Sequence, residues 1–338
     1  MPRRNIPPEH GIRLPVGAMQ DFITSLFRQV HAPAPHATHM AEVLVANDLR
    51  CVFSHGTRQA AGYVRQMRDG YTNPSPEVTV VSESSATAVL DGDGGLGYFP
   101  AHRGTEMAVA KALEVGVATV TTRNHFHFGA AGNYSRIALP HDCIGMAISS
   151  HRYRPDPDAS VMSASGGSPM SIAVPAGDEP PLVLDMSASL LPGREDLMEQ
   201  FPNTFFKALG LGAVFQAMGG IFAGIYNHEY RYPGTAEGAA PQQGAFIAVF
   251  DIKRFMDLAS FKKEMDRYIR DARRTRPLPG AVRAELAGGM EWIWEQENRT
   301  RGIAVSRKHQ QVLEAVAAEI AVASPFADYE HTRFGSCR

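Results

Sequence analysis

The spacing of apolar residues changes along the chain. Residues 15–32 and 36–52 carry apolar residues every three or four positions, which predicts two helices. The second has Met40, Ala41, Leu44, Val45, Leu49 and Val52 as its apolar stripe, with Glu42, Asn47 and Asp48 on other faces. Pro33 and Pro35 separate the pair. A third helix is predicted over Ala60–Arg68, ended by Asp69–Gly70, because glycine readily takes the left-handed backbone that closes a helix. From about residue 77 the texture turns to short β-rich runs: Val78–Val81, Thr87–Leu90, Ala118–Thr122, Ile144–Ser149, Met170–Val174, Leu182–Asp185 and Ala245–Phe250. One helix, Ala101–Val115, interrupts them, and Phe205–Tyr226 reads as a Gly/Ala-rich helix suited to close packing. Residues 227–244 read as a loop, and Ser260 and Ser306 as the caps of two last helices. Strands mixed with helices make the chain α/β or α+β with a mixed sheet.

Composition narrows the partners. A chain of 338 residues, 44% hydrophobic and 20% charged, is that of a globule with two or three packed units. A net charge of −2 with dispersed Lys and Arg gives no field for nucleic acid. Cys51, Cys143 and Cys337 are odd in number and far apart, so neither a disulfide framework nor a zinc site is expected, and a reducing, cytoplasmic setting is. No N-terminal apolar region and no apolar run near ~18 residues stands out, so no membrane span is expected.

Two polar knots carry the candidate chemistry. Thr122–Asn133 (TRNHFHFGAAGN) follows a strand and holds His125 and His127 beside small residues. An extended backbone would put both histidines on one face, but no carboxylate follows before Asp142, so a metal site is not expected. Proton transfer suits the pattern better: an imidazole titrates near ~6.5, and glycines let a planar ligand approach the backbone. The second knot, Ser54–His55–Gly56–Thr57–Arg58, offers a hydroxyl, an imidazole and a guanidinium that can clamp a carboxylate. Its alternative role is to neutralise a helix end. Three further features read two ways. Asp91–Gly97 (DGDGGLG) has dinucleotide-type glycine spacing, but Arg123–Asn124 ends the next strand without the required acid, so a glycine-rich turn is the better reading. Asp185, at a strand end, can bond a ribose, orient a histidine or cap the next segment of chain. Lys207, within an apolar helix, either snorkels to the surface or contacts an anion.

Together these stretches resemble the non-Rossmann malate/L-lactate dehydrogenase family, which includes ureidoglycolate, sulfolactate and diketogulonate oxidoreductases. The resemblance rests on Ser54–Gly56, Asn124–Gly132, Ser168–Pro175, Val183–Ser189 and Lys207–Gly212, and extends from about residue 12 to 325. It implies a largely antiparallel mixed sheet with a helical domain formed by both chain ends: residues 1–76 plus 295–338, with 77–294 as the cofactor and substrate region carrying a smaller inserted subdomain. It implies a homodimer that transfers a hydride between NAD or NADP and a small 2-hydroxy or 2-oxo acid. His127 and His55 match acid/base histidines, of which the glycine-rich surroundings favour His127 as the proton carrier. Ser54, Arg58 and Tyr63 fall at substrate positions, and Ser150, His151, Asp185, Met186, Ser187 and Lys207 at cofactor positions. Arg152 or Arg154 would favour NADP if either lay near the ribose. The chain departs from the pattern at Gln59 (an arginine in the family, with Arg58 one position earlier), at Ser149–Ser150–His151, at Ala208, and at Ala287–Gly288–Gly289. These departures motivate a second reading, a family-shaped protein that binds nucleotide or metabolite without turnover.

Overall fold

A computed structural model describes residues 5–188, 195–230 and 240–335. Contacts divide the chain into two units, one built from the described residues of Met1–Ser75 and Met290–Arg338, the other from those of Pro76–Arg231 and Ala240–Gly289.

The first unit opens with a short strand, β1 (Ile12–Leu14), then three helices, α1 (Val16–Gln29), α2 (Ala34–Leu49) and α3 (Ala60–Arg68). α1 buries Met19, Phe22, Ile23, Leu26 and Phe27, at the three- and four-residue spacing that makes one face apolar. α2 begins at Ala34 rather than residue 36, with Pro35 inside its first turn. Proline is tolerated there because a first-turn amide has no intrahelical acceptor. The end of α2 departs further from expectation: Asn47 and Asp48 are 2% and 0% exposed. Asp48 lies one turn beyond Leu44, so it continues the apolar stripe inward. α3 matches its predicted span, and Gly70 beyond it has φ +76°.

The second unit is organised by one sheet. Its elements run β2 (Thr79–Glu83), β3 (Thr87–Asp91), α4 (Tyr98–Val115), β4 (Val117–His125), a single helical turn α5 (Gly132–Ser135), β5 (Cys143–His151), β6 (Pro169–Val174), β7 (Leu182–Ser187), α6 (Glu195–Gln200), α7 (Pro202–Gln216), β8 (Gln243–Asp251) and α8 (Leu258–Arg273). All seven β-rich runs seen in the sequence become strands of this sheet, in the order β2-β3-β4-β8-β5-β6-β7. β3 and β4 pair in parallel through the α4 crossover, and every other neighbouring pair is antiparallel. α4 packs on the sheet through small residues such as Ala101, Ala108 and Ala112 against Leu90, Val120 and Ile247. A methyl on Gly104 would lie 3.0 Å from Val120 Cγ1, so the helix sits close. The cap of α8 is Asp257, not Ser260: its carboxylate accepts from Ser260 N–H at 2.8 Å. An ionised carboxylate is the stronger acceptor for a helix's free amides. α7 passes into a wider turn at Ala217–Ile221. Against the expectation of no such run, Pro202–Ile221 is by length and composition apolar enough to cross a membrane, and 39% of its apolar 18-residue stretch is buried.

The chain then returns to the first unit as α9 (Gly289–Arg301), β9 (Ile303–Val305) and α10 (Arg307–Glu319). β9 pairs antiparallel with β1, Ile12 opposite Val305. Asn298 of α9 donates to Leu49 O at 2.8 Å and accepts from Arg13 at 3.0 Å, which ties the two chain ends together. Ser306 caps α10 as expected, its hydroxyl accepting from His309 N–H at 3.2 Å.

Candidate active site

In the first unit, the turn between α2 and α3 carries Ser54, His55 and Arg58, and nearly every polar group in it is held. Asn47 donates to His55 O at 2.9 Å, and Gln59 Nε2 donates to Ser54 O at 2.6 Å. Ser54 Oγ lies 3.0 Å from His55 Nδ1. Burial holds His55 below the ordinary histidine range, so its imidazole is neutral at pH 7. Gly56 has an ordinary backbone, and space is what requires glycine there: a methyl would overlap the Asp48 carboxylate. Tyr63, on α3, is 3% exposed.

Behind the turn lies a buried network that periodicity alone did not single out. Asp48 accepts from Thr57 N–H at 3.3 Å and from Thr57 Oγ1–H at 2.5 Å. Thr57 Oγ1 is also 2.8 Å from His309 Nε2. One hydroxyl proton serves one acceptor, so with Asp48 ionised the threonine donates to the carboxylate and His309 Nε2–H donates to the threonine. Burial pushes Asp48 up to about 7, opposed by the two Thr57 hydrogen bonds and by Arg58. Burial, reinforced by Arg58, pushes His309 down to about 3. The sequence held a signal for both: Asp48 follows Leu44, and His309 precedes Leu313, by one turn on an apolar face.

In the second unit, the β3–α4 turn is laced to the end of β4. Gly92 N–H and Gly94 N–H donate to the carbonyls of Arg123 and Asn124, each at 2.9 Å, and Gly97 N–H to that of His127 at 3.0 Å. Phe126 N–H donates back to Gly95 O at 2.8 Å. The amides a phosphate loop would present are thus committed to backbone, as the glycine-rich-turn reading requires. The glycines make room for His125: methyls on Gly92 and Gly97 would lie 2.8 Å from its Cβ and 2.6 Å from its Nδ1. His125 is wholly buried. A carbonyl only accepts, so Nδ1–H donates to Phe126 O at 2.8 Å, and Nε2 accepts from Thr122 Oγ1–H at 2.9 Å. Burial pushes it down to about 4. His125 is a neutral core residue with both nitrogens engaged. His127, two residues on, is partly exposed.

The same loop is tied to the sheet edge. Asp185 on β7 accepts from Gly132 N–H at 3.0 Å, and a methyl on Gly132 would come within 2.6 Å of that carboxylate oxygen. Met186 is half-buried and Ser187 exposed beside it. Ser150 is 2% exposed, its hydroxyl 2.7 Å from Ser168 Oγ and donating to Gln216 Oε1. Ser150 therefore faces packing between β5 and α7. The His151 ring lies 5.1 Å from that of Tyr153, and burial lowers its pKa. Lys207 is exposed on α7. Arg154 stacks on Tyr226 at 4.6 Å, and Arg152 donates to Asn227 O at 3.4 Å. The structure thus gathers Ser54, His55 and Arg58 in one turn, and joins the loop of His127 to Asp185. His55 belongs to the first unit and His127 to the second.

Comparison with known proteins gives these residues a setting. The model of the malate/L-lactate dehydrogenase family matches residues 14–195 and 193–314. Malate dehydrogenase of Pyrococcus horikoshii is 26% identical over 93% of this chain and 97% of its own. Its solved structure superposes with a TM-score of 0.81 over 96% of this chain and 100% of that one. L-sulfolactate dehydrogenase of Methanocaldococcus jannaschii is 37% identical over 51% of this chain and 50% of its own. Ureidoglycolate dehydrogenase (NAD(+)) of Escherichia coli O157:H7 is 27% identical over 51% and 49%. The chain belongs to the malate/L-lactate dehydrogenase family and is an oxidoreductase.

Proposed function

We propose that this protein transfers a hydride between NAD or NADP and a small 2-hydroxy or 2-oxo acid, with His127 as the proton carrier and His55 as the alternative donor. The donor set of the second unit suits a pyridine dinucleotide. Both amide atoms of Asn133 and the Nε of Arg123 are buried without a hydrogen-bond partner among the described residues. The amide matches a carboxamide or hydroxyl, and the guanidinium N–H matches a phosphate. Asp185, Met186 and Ser187 border the loop that carries Asn133. When bound, the nicotinamide supplies or accepts the hydride. In the reducing direction His127 gives its proton to the substrate oxygen as C2 gains the hydride, and in the oxidising direction it takes the hydroxyl proton as C2 loses it. Arg58 holds the substrate carboxylate. The observation carrying this assignment is the contrast within one loop: His125 is buried with both nitrogens engaged, whereas His127 is partly exposed.

The test is His127→Ala and His55→Ala, assayed with NADH and NADPH against a panel of 2-oxo acids. His127→Ala is expected to lower kcat by roughly 10²- to 10⁴-fold, the usual worth of a positioned proton donor, while NADH fluorescence titration shows binding retained. Unimpaired turnover removes the residue from the acid/base role. NADH binding by the unaltered protein with no turnover across the panel favours the binding-only reading.

We also propose a homodimer acting in the cytoplasm. Its support is the solvent-facing side of α7 and the turn beyond it, where Phe206, Val214 and Ile221 are 74%, 51% and 61% exposed, together with the buried free thiols of Cys51 and Cys143.

A further inference from the structure

The first unit contains a cavity of about 580 Å³ beside the Ser54–Arg58 turn. Ile6, Phe53 and Val312 form apolar wall, and Arg58 and Lys308 bring two positive charges to it. No Asp or Glu lines it, and neither cation makes an ion pair or hydrogen bond among the described residues. Two like charges around one concavity, with low-dielectric wall between them, concentrate the field inside and attract an anion. Both charges are delivered by fixed backbone. Arg58 stands on the turn anchored by Asp48, Asn47 and Gln59, and Lys308 on the first turn of α10, set by the Ser306 cap. The cavity also lies in the size range of sites for ligands larger than a three-carbon acid.

We propose that this cavity is a subsite for the distal anionic group of a dianionic 2-oxo or 2-hydroxy acid, with Arg58 on the carboxylate next to the reacting carbon and Lys308 the specificity-determining cation for the distal one; the proposal rests on the hydroxy-acid function above. A monoanionic acid gains nothing from the second cation, so Lys308 separates the two kinds of substrate.

Lys308 is exposed, so Lys308→Gln is expected to fold. Steady-state kinetics would compare oxaloacetate with pyruvate. Lys308→Gln should raise KM for oxaloacetate about tenfold more than KM for pyruvate, as loss of one charge-assisted contact implies, with kcat changing less than twofold and Lys308→Arg restoring the difference. Calorimetric titration of the cofactor-free protein with malonate should show about tenfold weaker binding in Lys308→Gln. Equal KM changes for the two acids overturn the proposal. Malonate binding that weakens in Lys308→Gln while the KM ratio stays fixed also overturns it, assigning the cavity to a free anion instead of substrate. If no acid is turned over, the hydroxy-acid reading has failed, and the malonate titration still decides alone whether the cavity binds anions.

Discussion

The Asp48–Thr57–His309 network makes an unusual pH prediction, because its two titrating members oppose one another. Burial raises Asp48 from 3.8 to about 7. Between those values the folded protein holds a proton that the unfolded chain has released, so this contribution is fully present below 3.8 and is lost as pH rises through 7. At about 1.4 kcal/mol per pKa unit the rise amounts to roughly 4 kcal/mol. His309 falls from 6.5 to about 3. Here the unfolded chain binds the extra proton, so stability is fully present above 6.5 and is lost as pH falls through 3, again by roughly 4 to 5 kcal/mol. Over the shared window, pH 4 to 6.5, the two slopes nearly cancel and the network leaves no net pH dependence. Removing one member exposes the other. His309→Gln should lose stability relative to the unaltered protein as pH rises from 4.5 to 6.5, by up to about 1 kcal/mol per pH unit. Asp48→Asn should lose it as pH falls over the same range. Urea denaturation at closely spaced pH values measures both, since other titrating groups cancel in the difference. Parallel stability curves for the three proteins, or deviations of one sign, would refute the opposed-pair account.

Gly56→Ala forces a methyl onto the Asp48 carboxylate, so it should cost about 3 kcal/mol, within the usual range for overpacking a buried site, read as a lower urea midpoint at unchanged slope. Phe206→Glu places a charge on the exposed apolar side of α7; light scattering behind size exclusion is expected to show a dimer for the unaltered protein and a monomer for the variant. An unaltered protein that is already monomeric removes that side as the dimer interface, and one recovered with lipid vesicles assigns it to a membrane.

Much of the second unit was legible because its strands are separate β-rich runs of ordinary length. Each of the seven became a strand of the sheet, with ends displaced by at most three residues. What the pattern missed was either too short or too far apart in the chain. β1 and β9 have three residues each, less than two periods of alternation, and exist because each supplies the other's backbone partners. Residue type alone assigns Asn47 and Asp48 to other faces, although the spacing from Leu44 places Asp48 inward. Such a carboxylate becomes tolerable only with Thr57 and Arg58 nearby, and its network is completed by His309, 252 residues from Thr57. Sequence distance of that kind hides a partner even when each half sits on a visible stripe.

The candidate site shows the same division at Gln59. Set against the family pattern, a glutamine where an arginine is expected reads as loss of the substrate clamp. The geometry gives the substitution another meaning. The amide of Gln59 donates to Ser54 O at 2.6 Å, closing the turn with a neutral group and leaving no cation at that position. The positive charge has moved one residue back, to Arg58, which lines the cavity that Lys308 also lines. Neither change was interpretable alone: Arg58 without the cavity is a helix-end cation, and Lys308 without Arg58 is a surface lysine. Substrate preference in this chain should therefore follow the charge at positions 58 and 308 together. For that reason the oxaloacetate-to-pyruvate comparison in Lys308→Gln is more discriminating than restoring arginine at position 59, which would also unfasten the Ser54 carbonyl.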